Sequence, residues 1–195
     1  MFEGDFDMKK IALTPLVLAL AMASACTRST DTAISSAGSD AHPGQSVELV
    51  EGGFSIGSKG LHHTDIIRFG EPRAKVIADL SGALGRPTAT GRNTDCPSGP
   101  VDWVSFGPLD LHFEGGRFVG WVIDEEGEPK VESYHGLGFG APRDYLDGGD
   151  MDVEVVPDSS LGTELIVNGI GVLMSGPGQS DRATALFSGT TCFAR

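Results

Sequence analysis

Apolar residues recur at helical spacing in one segment of the chain. Val76, Leu80 and Leu84 lie four residues apart, which places their side chains on one face of a helix. Gly85 and Pro87 follow directly and are typical of a helix end. The pattern predicts an amphipathic helix that ends at Leu84.

Apolar and polar residues alternate in later segments, as expected for strands with one buried face. The segment 109–113 alternates in this way, and 117–123 is the returning strand. Between them, Gly115-Gly116 suits a two-residue hairpin turn, which needs positive φ. The other segments with strand character are 101–106, 153–156, 163–167, 170–174 and 183–188.

A five-residue motif occurs twice, 70 residues apart. Phe69-Gly70-Glu71-Pro72-Arg73 precedes the predicted helix, and Phe139-Gly140-Ala141-Pro142-Arg143 precedes a shorter segment that ends at Gly148-Gly149. Pro suits the first helical turn in both copies, because its missing N–H needs no partner there. We therefore expect an α+β fold, with two tandem helix-plus-antiparallel-meander repeats (about 61–124 and 133–193) packed as one domain.

The chain begins with features of an export signal. Lys9-Lys10 precede an apolar run over 11–23, and the small residues Ala23-Ser24-Ala25 precede Cys26. The run is too short to span a membrane, so it predicts a cleaved signal peptide over 1–25 rather than a retained hydrophobic helix. The acidic residues before Met8 do not fit a signal, and the pattern favours Met8 as the natural start.

The segment Ala23-Ser24-Ala25-Cys26 resembles the lipobox of bacterial lipoproteins, in which the Cys is acylated before cleavage. The resemblance implies that Cys26 is the lipidated first residue of the mature chain and anchors it in a membrane. Thr27 stands where an Asp would imply retention at the inner membrane, so we expect the outer membrane, facing the periplasm. Residues 26–46 have almost no large apolar side chains and predict a flexible tether before a folded domain over 47–195.

Charge and cysteine content narrow the function further. Without the three acidic and two basic residues of the signal region, the chain has 24 Asp and Glu against 12 Lys and Arg. Such a balance opposes nucleic-acid binding, which needs basic patches. Cys96 and Cys192 remain once Cys26 is lipidated, and an even pair in an oxidising compartment predicts a disulfide, with two free structural thiols as the alternative.

The predicted helix ending in Leu84-Gly85-Arg86-Pro87, followed by a meander with a Gly-Gly turn, resembles the repeat of β-lactamase-inhibitor-protein-like domains. Small envelope lipoproteins of the outer-membrane barrel-assembly type share this repeat. The resemblance covers roughly 61–192 and implies neither catalytic residues nor a cofactor. The segments 96–100 and 189–192 are similar to those of uncharacterised exported lipoproteins.

Several weaker patterns could carry chemistry, but each lacks the context that its chemistry needs. Gly53-Phe54-Ser55-Ile56-Gly57 matches the serine-hydrolase elbow without a following helix, and the glycines of 136–140 have no phosphate-binding Lys after them. Two groups of residues could bind a metal ion, a set of histidines with Asp65 and a run of aspartates over 144–152. Adjacent histidines on a strand point to opposite faces, and the aspartates lack the spacing of an EF-hand loop, so we expect no metal site. These candidate ligands are His62, His63, Asp65, His112 and His135, and Asp144, Asp147, Asp150 and Asp152.

Four aromatic residues, Trp103, Phe113, Phe118 and Trp121, lie on neighbouring predicted strands. They form either the core of the domain or a face that binds another protein. We expect a non-enzymatic envelope lipoprotein that binds a protein or serves a structural role. The alternative is a small periplasmic hydrolase or ligand-binding enzyme with a pocket between the repeats.

Overall fold

The computed structural model describes residues 45–58, 64–133 and 135–193. The predicted signal peptide over 1–25, Cys26 and the predicted tether up to residue 44 lie outside the described residues, but Gln45 and Ser46 already belong to a strand. No helix of the described part is long and apolar enough to cross a membrane.

The described residues form twelve strands and two short helices, so the expected α+β class with two tandem helix-plus-meander repeats is wrong. The protein is mostly β, because the second helix has only six residues and strands missed in the sequence add a second sheet. In chain order the elements are β1 (Gln45–Val50), β2 (Gly53–Ser58), β3 (Thr64–Arg68), α1 (Arg73–Leu84), β4 (Ala89–Asn93), β5 (Val101–Phe106), β6 (Leu109–Glu114), β7 (Arg117–Ile123), β8 (Glu132–Ser133), α2 (Arg143–Gly148), β9 (Val153–Val155), β10 (Glu164–Val167), β11 (Ile170–Met174) and β12 (Ala183–Gly189).

Eight strands form one antiparallel sheet in the order β4-β5-β6-β7-β12-β11-β10-β9. The sequence pattern located β5, β6, β7, β9, β10, β11 and β12 to within about two residues. Gly115 and Gly116 have φ of 54° and 76°, which confirms the predicted hairpin turn between β6 and β7.

Four strands form the second sheet, in the order β3-β2-β1-β8. Strands β1 and β2 form an antiparallel hairpin that turns at Glu51-Gly52, and β8 pairs with β1 in parallel. Val47, Leu49 and Phe54 alternate with more polar neighbours and are buried. One face of this sheet therefore contributes to the core.

The core lies between one face of the eight-stranded sheet, the four-stranded sheet and the two helices. Trp121 and Phe118 of β7 are fully buried in it, and their rings lie 5.8 Å and 5.6 Å from that of Phe54 in β2. Val76 and Leu80 of α1 are also fully buried, as the helical spacing predicted. The two sheets thus meet at an aromatic cluster.

The two Phe-Gly-x-Pro-Arg segments occupy matching positions in the two halves of the eight-stranded sheet. Pro72 and Pro142 each form an isolated bridge to an arginine, Arg117 and Arg182 respectively. The guanidinium of each arginine donates to the glycine carbonyl of the same motif, at 3.1 Å and 2.9 Å. At the centre, Trp121 pairs with Ser188 and Ile123 with Leu186, so the two halves are related by an approximate twofold axis between β7 and β12.

Candidate binding face of the eight-stranded sheet

The eight-stranded sheet has a second face, directed away from the core, which we call the outer face. Residues paired across an antiparallel sheet point to the same side, so pairing defines this face. One row crosses all eight strands and comprises Ala89, Ser105, Asp110, Val122, Phe187, Gly171, Ile166 and Glu154. A second row, Gly91, Trp103, His112, Gly120 and Gly189, covers the β4 to β12 part.

Two large aromatic side chains of the outer face lie against glycines of the neighbouring strand. A Cβ placed on Gly91 would lie 2.5 Å from the Trp103 ring, and one on Gly171 would lie 2.4 Å from the Phe187 ring. Only glycine leaves room for a ring at these positions, so the packing holds both rings close to the sheet. Trp103 is partly exposed, whereas Phe187 is buried.

Residues 190–193, which we call the C-terminal strap, cross the outer face after β12. The Thr190 carbonyl oxygen lies 3.1 Å from Nδ1 of His112, and a Cβ on Gly120 would lie 2.1 Å from the same oxygen. Phe193 contacts Phe187 edge to face, with ring centroids 5.3 Å apart. The strap therefore covers the middle of the face and leaves Trp103 at its side.

A disulfide between Cys96 and Cys192 holds the strap, with the two Cα atoms 4.8 Å apart. This confirms the predicted pairing and excludes the alternative of two free thiols. Cys96 is buried in the loop between β4 and β5, and the Thr191 carbonyl lies 3.8 Å from its sulfur. The bond ties the end of the second half of the sheet to the first half.

The charge of the outer face is negative. Among the described positions of its two rows, Asp110 and Glu154 are acidic and none is Lys or Arg. Ser105 donates a hydrogen bond to Asp110, which fixes the carboxylate on the sheet. His112 is nearly buried and its Nδ1 faces the strap.

Comparison of the chain with protein-family models, curated proteins and solved structures finds no match. The resemblance to β-lactamase-inhibitor-protein-like domains therefore stays a prediction.

Of the four aromatic residues singled out in the sequence, only Trp103 lies on the outer face. Phe113, Phe118 and Trp121 are fully buried in the core, where a partner cannot reach them. The physical reason is the face of the sheet on which each side chain lies. Phe113 of β6 and Phe118 and Trp121 of β7 point toward α1 and β2, whereas Trp103 of β5 points to the opposite face of the sheet. Sequence reasoning missed Phe187, because 185–188 is buried throughout and its pattern does not show which side each residue faces.

The candidate catalytic motifs do not form catalytic sites. Ser55 lies inside β2, nearly buried, with strands on both sides, so it is not on a nucleophile elbow. Gly136 and Gly140 have φ of 75° and 80°, which serves the bend into α2, a helix of six residues. The glycine-rich segment is therefore a connection between elements.

The candidate metal ligands among the described residues are also not brought together. His62 and His63 lie outside the described residues. Within the described part, no group of three or more His, Cys, Asp or Glu side chains is placed to hold a metal ion. Asp147, from the acidic run, instead accepts from Nε of Arg143 at 2.8 Å.

Three charged groups with shifted pKa values lie away from the outer face. Lys75 of α1 lies 2.7 Å from Asp79 and 2.8 Å from Glu71, and hydrogen bonds to these carboxylates raise its pKa. The hydrogen bond from Lys75 lowers the pKa of Glu71. The carboxylate of Glu132, 2.8 Å away, raises the pKa of Lys130.

Proposed function

We propose that this protein is a lipid-anchored lipoprotein of the bacterial envelope that binds another protein through the outer face of its eight-stranded sheet. The observation that carries the proposal is the partly exposed Trp103, packed against Gly91 on a sheet face that carries Asp110 and Glu154. A rigid tryptophan is the kind of side chain that anchors protein interfaces. No enzymatic role is proposed, because the described residues include no convergent catalytic group.

The dimensions of the face favour a protein over a small molecule. Trp103 on β5 and Ile166 on β10 lie on opposite sides of the strap and five strand spacings of about 4.8 Å apart, a distance of about 24 Å that a protein surface spans more readily than a small molecule. The absence of Lys and Arg from the described rows predicts a partner whose contacting surface is basic. Such a complex should associate more slowly as the salt concentration rises.

The proposal can be tested by site-specific photo-crosslinking in the bacterium that encodes the protein. A photoreactive phenylalanine analogue replaces Trp103 or Ile166 on the outer face, and Ile66, which is 44% exposed on β3, provides the matched control. We expect a discrete protein adduct from the two outer-face positions but not from position 66. The same adduct at all three positions, or no adduct from the outer face, would contradict the proposal.

The anchor needs its own test. Metabolic labelling with a fatty-acid analogue should label the wild-type chain, and Cys26→Ser should abolish the labelling. If the Cys26→Ser chain still carries the label, lipidation at Cys26 is wrong, whatever the crosslinking shows.

A further inference from the structure

The middle of the outer face carries three apolar side chains, Val122, Ala185 and Phe187, which we call the apolar centre. Val122 pairs with Phe187, and Ala185 lies two residues before Phe187 on β12, so all three point to the same side of the sheet. Each is buried, yet none belongs to the core between the two sheets. The ring of Phe193, in the C-terminal strap, lies against the Phe187 ring. The strap therefore covers apolar surface on the solvent side of the sheet.

The strap is attached to the domain at its start and by its disulfide. The chain turns away from β12 at Gly189, where φ is 73°, and the Thr190 N–H donates to the Val119 carbonyl at 2.8 Å. Farther along, the disulfide at Cys192 and the ring contact of Phe193 hold the strap on the face. Strand β12 pairs with β7 and β11 whether or not the strap is in place. Breaking the disulfide therefore frees the strap beyond Thr190 from its covalent attachment and leaves the sheet paired.

The two sulfur atoms of the disulfide lie in different surroundings. Cys96 is buried in the loop between β4 and β5, whereas Cys192 in the strap is partly exposed. The Ser98 hydroxyl oxygen lies 3.4 Å from the Cys96 sulfur, where the hydroxyl can donate to a thiolate. A donated hydrogen bond favours the charged form of the sulfur. An attacking thiolate therefore reaches Cys192 more readily, and Cys96 is the better leaving group.

We propose that the C-terminal strap is a redox-controlled cover of the apolar centre, which is released when a dithiol reduces the disulfide between Cys96 and Cys192. A thiolate of the dithiol attacks the Cys192 sulfur, and Cys96 leaves as a thiolate and takes up a proton. The second thiol of the dithiol then attacks the mixed disulfide and releases Cys192, which is protonated in turn. The dithiol becomes a disulfide, and its electron pair and both protons pass to the two cysteines.

Release of the strap changes the surface that the outer face offers to a partner. With the strap in place, Trp103 and Ile166 lie on opposite sides of it, and the apolar centre between them is covered. Without the strap, the face is continuous from β5 to β10. As a regulator of partner binding, the cover rests on the proposed function: the reduced protein binds more tightly, because the apolar centre adds to the interface.

The test is hydroxyl-radical footprinting of the full chain without denaturant, with the modified residues identified by mass spectrometry. The disulfide-bonded wild type is compared with Cys96→Ala combined with Cys192→Ala. Phe187 is 5% exposed in the disulfide-bonded chain. In the variant its ring should be modified roughly fivefold faster, because a local opening exposes it. Phe113 is fully buried in the core and is the internal control, which should stay protected in both proteins.

Two further measurements separate the cover from the disulfide. Phe193→Ala keeps the disulfide and should also speed the modification of Phe187, whereas Ile66→Ala, a truncation on exposed β3, should not. Dithiothreitol, as the dithiol probe, should reduce the bond in the folded chain, so that iodoacetamide then alkylates both cysteines while Phe113 stays protected.

Three results would overturn the proposal. They are a Phe187 that stays protected in the double cysteine variant, equal gains in modification at Phe187 and Phe113, which indicate global unfolding, and a disulfide that dithiothreitol reduces only in denaturant. None of these measurements needs a partner. Absence of a crosslinked adduct at Trp103 in both redox states would instead contradict the proposed function and leave the footprinting result standing.

Discussion

Removal of the disulfide that holds the C-terminal strap should strongly destabilise the domain. Cys96 and Cys192 are 96 residues apart in sequence. In the chain-entropy model, a crosslink that closes a loop of about 100 residues lowers the conformational entropy of the unfolded chain, which raises its free energy by about 4.7 kcal/mol. Cys96→Ala with Cys192→Ala should therefore lower the free energy of unfolding by up to about 4.7 kcal/mol.

Urea denaturation measures this effect directly. With an m-value of about 2 kcal/mol/M, the unfolding midpoint should fall by about 2 M. Wild-type protein measured with a thiol reductant provides the matched control and should behave like the double variant. A loss below about 1 kcal/mol, or a reduced wild type that keeps the oxidised midpoint, would refute the reasoning from loop closure.

Three further changes should alter stability in urea denaturation. Gly120→Ala places a Cβ 2.1 Å from the Thr190 carbonyl oxygen of the strap and should lower the free energy of unfolding by about 2–4 kcal/mol. Gly148→Ala is the control, because its Cβ meets nothing within 4 Å and the free energy of unfolding should not change. Equal unfolding midpoints for the two variants would contradict the close approach at Gly120. Leu80→Ala deletes a fully buried side chain and should cost about 2–5 kcal/mol; a smaller loss would argue against its core position. The lowered pKa of Glu71 means that its pairing with Lys75 stabilises the folded state above the ordinary pKa of 4.5 and less as the pH falls below it. The free energy of unfolding of the wild type should therefore exceed that of Glu71→Gln by at most about 1 kcal/mol at pH 7 and by less at acidic pH. A difference that grows on acidification would contradict this prediction.

The sequence predicted the individual elements better than the fold. The helix ending at Leu84 and seven strands of the larger sheet follow from apolar periodicity, which depends only on local spacing and on which face is buried. The pairing of Cys96 with Cys192 followed from counting the cysteines. The helix and strand predictions succeeded because each depends on a few residues that are close in sequence. The disulfide prediction succeeded because only two cysteines remain once Cys26 is set aside.

The fold class was wrong because the smaller sheet was not recognised. The alternation of Val47 and Leu49, and of Phe54 and Ile56, is present in the sequence, but the predicted tether reaches residue 46 and 53–57 is considered only as a serine-hydrolase motif. Strands β4 and β8 carry no buried alternation, since they lie at sheet edges. Their pairing depends on tertiary contacts that local patterns do not encode.

The candidate site was only partly predictable for the same reason. The aromatic residues of β5, β6 and β7 were identified, but which side of the sheet each one faces depends on where the second sheet and the helices pack. Trp103 lies outside and Trp121 inside, although both occupy strands of similar composition.

The disulfide has a consequence for the integrity of the chain. It links the loop before β5, in the first half, to the segment after β12, in the second, while the exposed segment Asp124–Glu128 connects the halves. A protease that cuts this connection once would produce a nicked molecule whose two fragments stay covalently joined and share one sheet. Such a molecule should migrate as a single band in electrophoresis without reductant and separate into two fragments only after reduction.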